Sequence, residues 1–269
     1  MKKTIFCIIF VFIVFFFGRN LNPFSNSMFT FHDETQPARI EQFVLDLKNL
    51  QIPPRFAPDF SFKLGYPVFN FYAPTSYWIT SIFYFDFFFF FTGEDLYISS
   101  LYYPLDIFVR GNLGEVWFLA LFPLGLFFLV KNAKKPSRFI FFATVIGLFL
   151  LFTAHNLLST MAIMICLFFI LLLPHKKINS CAFIFSLLLA GYFFLPLLLE
   201  NHLTYAKEIA TATKYWQHFV CPQQLWQSPW GFGGSTAGCT DGMSFKIGKM
   251  QLVLGGLGML LFFLNLKKH

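Results

Sequence analysis

Charge is scarce in this chain of 269 residues: only 12% are Asp, Glu, Lys or Arg, and just 13 are acidic. Against that scarcity stand 57% hydrophobic residues, 43 phenylalanines and a mean hydropathy of +0.62. A soluble domain of this size needs far more polar surface, so the composition excludes one and indicates a polytopic membrane protein. Cysteine is sparse at five residues, the six histidines are scattered, and no Cys-x-x-Cys or His-x-x-x-His spacing occurs. A structural zinc site therefore has no support. The apolar runs also lack polar residues near their middles, where a transporter would keep a binding site; the polar groups gather at the ends.

The net charge of +7 resides in short blocks beside apolar runs: Lys2-Lys3, Lys131 with Lys134, Lys135 and Arg138, Lys176-Lys177, and Lys267-Lys268. Cations placed in this way orient a membrane protein and do not form a nucleic-acid patch. The apolar runs predict spans at 4–17, 115–130, 139–154, 160–173, 181–199 and 250–266, several of them slightly short of a full crossing. With the basic blocks on the cytoplasmic side, the amino terminus is inside. Residues 32–67, the 106–110 turn, His155-Asn156 and residues 200–249 then all lie outside. The layout is a single transmembrane domain with a first helix (1–18), an outer loop (19–67), a helical core (68–199), a second outer loop (200–249), and a last helix with its basic tail (250–269).

Residues 66–92 fit this scheme poorly, being long for one crossing and short for two. To keep the later blocks inside, the segment must be a re-entrant hairpin, or a helix is missing between Phe91 and Tyr102; the Phe87 to Phe91 run beside Thr92-Gly93 favours the second. Lys2-Lys3 followed by an apolar run also resembles a secretory signal. Phe15 to Arg19 offers no small-residue cleavage site, so the segment reads as an uncleaved helix.

After the first apolar run come three ionisable residues in a row, His32-Asp33-Glu34. The amphipathic run that follows (Ile40, Phe43, Val44, Leu47, Leu50) places the carboxylates at the start of a helix lying along the membrane surface, where the helix dipole suits them. They read either as a functional pair or as plain helix-start acids. Arg55 after Pro53-Pro54 reads as a headgroup anchor, Asp106 and Arg110 as an intrahelical ion pair, and His155 as an interfacial histidine. Tyr66, Tyr72, Tyr77 and Trp78 suggest an aromatic belt, and Trp226, Trp230 and the 231–234 run either a sugar-binding lip or an interfacial loop. Cys221 and Cys239 share the second outer loop and read equally as a disulfide or as two thiols.

The order of several motifs resembles one bacterial family. These are His32-Asp33-Glu34; Pro53-Pro54-Arg55-Phe56; Gly65-Tyr66-Pro67-Val68-Phe69-Asn70-Phe71-Tyr72-Ala73-Pro74; Tyr103-Pro104-Leu105-Asp106-Ile107-Phe108-Val109-Arg110-Gly111 with Glu115; Ala154-His155-Asn156; Phe194-Leu195-Pro196 with Glu200; and Asp241 through Gly248. Together they resemble the 6-pyruvoyl-tetrahydropterin-synthase-related membrane proteins, whose architecture is similar to the GT-C glycosyltransferases. The resemblance implies an all-α helical bundle whose long first outer loop carries amphipathic surface helices and an acidic motif. It also implies a polyprenyl-phosphate sugar donor, an envelope glycan or protein acceptor, contact with membrane lipid, and placement in the bacterial inner membrane with the active face outward. The chain is shorter than those transferases and reads as a truncated member.

Such a transfer needs a base for the acceptor hydroxyl and cations or donors for the departing phosphate. Asp33 is the candidate base, with Glu34 orienting the acceptor or joining Asp33 on a divalent ion, Mg or Mn. Arg39, Arg55 and Arg110 are candidates to grip phosphate bidentately, and His155 to donate to it. His32, Tyr72, Asp106 and Glu200 complete the expected substrate-facing set. The alternative is a non-catalytic transporter or a partner subunit in envelope polysaccharide assembly.

Overall fold

The computed structural model describes residues 33, 35–85, 110–212 and 214–266. The expected first span, His32, Glu34, Asp106 and the disputed stretch beyond Phe85 lie outside these residues. The described residues are helical with no strand; an isolated bridge joins Ala57 to Tyr66. The chain divides into two compact units, one formed by residues 33–90 with 112–209 and the other including residues 210–269.

The larger unit is built on four consecutive helices, α3 (Leu113–Lys134), α4 (Arg138–Phe152), α5 (Asn156–Leu172) and α6 (Lys176–Glu200). Their connections, residues 135–137, 153–155 and 173–175, are too short for anything but antiparallel neighbours. Helices α3, α4 and α5 each start where a side chain can satisfy free amides. Asn112 Oδ1 accepts from Glu115 N at 3.3 Å, Ser137 Oγ from Ile140 N at 3.2 Å, and His155 Nδ1 from Leu157 N and Leu158 N at 3.2 Å each. The helices begin one to five residues before the expected spans, since hydropathy registers the apolar middle and misses the polar start, while α4 and α5 end slightly short of the expected bounds.

Leu129, Leu148, Leu151, Phe152, Ala162, Cys166 and Ala190 fill the bundle centre. Small residues and hydroxyls also bring the helices close together. Gly125 and Gly147 allow α3 and α4 to approach: a Cβ on Gly125 would sit 3.1 Å from the Leu151 side chain. Thr144 Oγ1 donates to Phe128 O at 3.1 Å, and Ser186 Oγ to Val145 O at 3.0 Å. Around this centre the outward faces are apolar: Phe127, Phe142, Leu157, Met164, Phe168, Leu171, Phe185, Leu188 and Leu198 are all exposed. Helices of 22 and 28 residues, Leu113–Lys134 and Lys176–Leu203, are long and apolar enough to cross a membrane. The 15 and 17 residues of α4 and α5 reach about 22 and 25 Å at 1.5 Å per residue.

A second core lies over one end of the bundle. Helix α1 (Gln36–Lys48) packs against α2 (Thr75–Phe85) around Phe43, Ala57, Val68, Phe69 and Tyr77. Phe43 meets Phe69 and Trp78 edge-on at 5.0 and 5.2 Å and stacks on Tyr77 at 5.8 Å. Two sequence expectations change here. Leu50 lies past the end of α1 with φ of 60°, fully turned to solvent, so the apolar stripe ends at Leu47. Tyr77 is 2% exposed and belongs to this core, not to an aromatic belt, because the ring of Phe43 covers it.

The smaller unit holds the carboxyl-terminal part of helix Ala206–Ala212 (α7), the short α8 (Pro222–Trp226), an irregular stretch, and α9 (Lys249–Leu266). Within it Cys221 and Cys239 are joined by a disulfide with Cα atoms 5.6 Å apart.

Candidate functional site

Alternation of the four bundle helices puts the start of α3, the α4–α5 turn and the end of α6 at one end. The α1–α2 core is anchored to this end. Thr75 N donates to Thr153 O at 3.0 Å, and the hydroxyls of these residues lie 2.6 Å apart. Asn156 extends the seam: its amide donates to Phe71 O at 2.6 Å and accepts from Ala73 N at 2.8 Å, copying a β-bridge with one side chain. Opposite this end lie Lys131, Lys134, Lys135, Arg138, Lys176 and Lys177, and no carboxylate occurs between Glu115 and Glu200.

At the anchored end three polar groupings form. The first surrounds Asp33, whose Oδ1 accepts from Thr35 Oγ1 at 2.9 Å and whose Oδ2 accepts from Gln36 Nε2 at 2.5 Å. Arg39 Nη1 lies 3.5 Å from the same Oδ2, its guanidinium 4.2 Å over the ring of Tyr72. The Tyr77 hydroxyl donates to Gln36 Oε1 at 3.1 Å, and the Arg39 charge acts on it. Arg39, Asp33, Gln36 and Tyr77 thus form a hydrogen-bonded chain whose directions are forced. Asp33 only accepts, so the Gln36 amide must turn its NH2 to the carboxylate and its oxygen to Tyr77, which must donate. Burial of Arg39 opposes its charge, yet Tyr77, Tyr72 and Asp33 outweigh that and hold the guanidinium above its ordinary value. Asp33 keeps 29% of its side-chain surface, so a carboxylate fixed from behind faces outward.

The second grouping joins Arg55 to Glu200. Arg55 donates to Asn70 Oδ1 at 3.2 Å and to Tyr192 O at 2.8 Å, while Asn70 Nδ2 donates to Glu200 Oε2 at 2.9 Å. A headgroup anchor would leave that guanidinium outward; here it clamps the 53–56 segment to α6. The same segment is held at Asp46, whose carboxylate accepts from Arg55 N and Phe56 N at 3.3 and 3.2 Å. Burial raises the Asp46 carboxyl above its usual range, against the two amides, which lower it. Gln42 and Asp59 add a reciprocal pair, each contact 2.9 Å.

The third grouping is Glu115 with His155. The amides of Leu157 and Leu158 occupy His155 Nδ1, so the neutral ring carries its proton on Nε2, 3.8 Å from Glu115 Oε1. Glu115 also accepts from Asn112 Nδ2 at 2.8 Å.

The structure therefore brings Asp33, Arg39 and Tyr72 together, and joins Arg55 to Glu200. His155 pairs with Glu115, and Arg110 belongs to the smaller unit. Sequence reasoning misses Gln36, Asn70, Tyr77 and Asn156 as organising residues. Asn70 and Asn156 carry a signal of their own, being amides inside otherwise apolar motifs. As for a divalent ion, no group of three or more His, Cys, Asp or Glu residues gathers among the described residues. Asp33 suits a cation poorly, because both its oxygens already accept and a guanidinium adjoins one of them. No protein-family model, curated protein or solved structure matches this chain.

Proposed function

We propose that this chain is a multi-pass helical protein of the bacterial inner membrane, its α1–α2 end outward, that transfers a sugar from a polyprenyl-phosphate carrier to an envelope acceptor. The GT-C-like architecture is part of the proposal. The membrane reading is supported by apolar helix faces left exposed around a core packed on small residues and hydroxyls, and by six cations gathered at one end.

The single observation that carries the reaction is Asp33. It is a partly exposed carboxylate held by three neighbours at the end away from the basic blocks. In the transfer, Asp33 takes the proton of the acceptor hydroxyl as that oxygen bonds the anomeric carbon. The carbon–oxygen bond to the carrier breaks, and the lipid phosphate departs with the electron pair. Cations placed to receive it lower the barrier. Arg39 is the nearest, His155 is a further donor of the proposed set, and Glu34 orients the acceptor. No step runs through a metal ion.

A second reading, a non-catalytic subunit of envelope polysaccharide assembly, is favoured by one specific fact. Arg55, Asn70, Asn156, Gln42 and Asp46 all direct their hydrogen bonds into the fold. The test is to present purified protein in nanodiscs with radiolabelled polyprenyl-phosphate sugars and envelope acceptor. Binding with label moving to the acceptor supports the enzyme. Failure to bind any carrier-linked sugar supports the subunit.

A further inference from the structure

The segment between α7 and α9 is built inside out. Its buried residues are mostly polar: Gln224, Ser228 and Ser244 are at most 4% exposed, with Met243 beside them. They are internally satisfied. Gln224 donates to Asp241 Oδ1 at 2.6 Å and accepts from Cys221 N at 2.7 Å; Ser244 Oγ donates to Ser228 O at 3.0 Å; and Ser228 Oγ accepts from Phe245 N at 3.1 Å. Two strands of chain are pressed together where Gly233 N donates to Gly242 O at 2.7 Å, and a Cβ on Gly231 would stand 2.5 Å from that same oxygen. The disulfide closes the module. Meanwhile its large aromatics, Tyr215, Trp216, Phe219, Trp226, Trp230 and Phe232, are all exposed.

A polar interior under an aromatic exterior is the reverse of what water favours. What adjoins the module identifies its surroundings. Ile247 N donates to Leu225 O at 2.9 Å, tying the aromatic segment to the residues just before α9, and Lys249 Nζ lies 5.4 Å from the Trp226 ring. From Leu252 to Leu260, α9 exposes apolar side chains on every face, as a helix in lipid does. Trp226 and Lys249 therefore mark the level at which the chain enters the apolar phase. Tryptophan, tyrosine and lysine gather at that level because their rings and stems are apolar and their tips are wet. Lys214 and Lys246 against Asp241, with Lys249 at the start of α9, give this region a positive bias suited to phosphate headgroups.

We propose that residues 214–248 form a disulfide-closed interfacial module whose aromatic face sits in the headgroup layer of the bilayer beside α9. This anchoring is independent of any sugar transfer. The full chain is placed in nanodiscs, with Trp78, Trp117 and Trp216 replaced by Phe together with one of Trp226 and Trp230, so that the other is the remaining indole. Expected are blue-shifted emission, quenching by lipid brominated near the glycerol end of the acyl chain exceeding that by lipid brominated near its middle, and little quenching by aqueous acrylamide. Hydroxyl-radical labelling of the unsubstituted protein in the same discs needs no variant, and Trp226, Trp230 and Phe232 should be protected. Red-shifted emission quenched by acrylamide alone, or heavy labelling of the three aromatics, overturns the proposal and leaves the face for a soluble glycan or protein partner.

Discussion

Removing one oxygen atom tests the hydrogen-bonded chain behind Asp33. Tyr77→Phe keeps the aromatic contacts with Phe43 at 5.8 Å and Phe69 at 5.4 Å, so the apolar core remains filled. What it deletes is the hydroxyl that donates to Gln36 Oε1, an acceptor on a residue only 7% exposed. A buried acceptor left without its donor costs about 1–3 kcal/mol. Tyr77→Ala, which also empties the ring volume, should cost more, about 3–5 kcal/mol. The hydrogen-bonded chain makes a sharper claim than either single value. Because Gln36 and Tyr77 share one hydrogen-bond circuit, Tyr77→Phe combined with Gln36→Met should cost less than the two changes summed, by about 0.5–3 kcal/mol. Denaturant unfolding of the four proteins in nanodiscs, followed by tryptophan fluorescence, gives the cycle. A Tyr77→Phe protein as stable as the parent, or losses that simply add, would refute the coupling of Tyr77 to Gln36.

Three further outcomes follow from the fold. Reporters placed after Lys135 and Lys177 should register the cytoplasm and those at Asn201 and Gly234 the outside; a reporter at Lys135 on the outer side contradicts the orientation. Asp46 has its folded value raised by burial, so the folded state binds the proton more tightly than the unfolded one. Stability is then greatest below the ordinary aspartate value of 3.8 and falls as pH climbs through the folded value. Asp46→Asn, which keeps an acceptor for Arg55 N and Phe56 N, should abolish that slope without loss at neutral pH, whereas an unchanged slope assigns it to another group. Arg55→Lys keeps the charge but cannot span Asn70 and Tyr192 O together, and should destabilise by about 1 kcal/mol in the same unfolding assay; no change would mean the clamp contributes nothing.

Helix positions are legible in the sequence because a run such as 139–154 has to be buried or lipid-facing whatever its neighbours do. The α4–α5 turn is legible for the same reason, since Ala154-His155-Asn156 interrupts two such runs. The anchoring of the outer segment is not legible. Asn156 meets Phe71 and Ala73 across more than 80 residues, and only the packed chain decides that its amide copies a strand. Tyr77 shows the limit from the other side. Hydropathy cannot tell an interfacial tyrosine from one covered by Phe43, because both lie on an apolar helix face beside polar neighbours. The disulfide lies between these cases: the shared loop permits Cys221 to meet Cys239, and the folding of the chain across their sequence separation of 18 brings them together.

The central claim is that Asp33 is the base of a sugar transfer, and Asp33→Asn tests it most directly. The amide keeps size and shape, so binding of a polyprenyl-phosphate sugar to purified protein should be nearly intact. Transfer to the acceptor should fall by about two to four powers of ten. Transfer at the parental rate by Asp33→Asn would place the base elsewhere and reduce Asp33 to the start of α1.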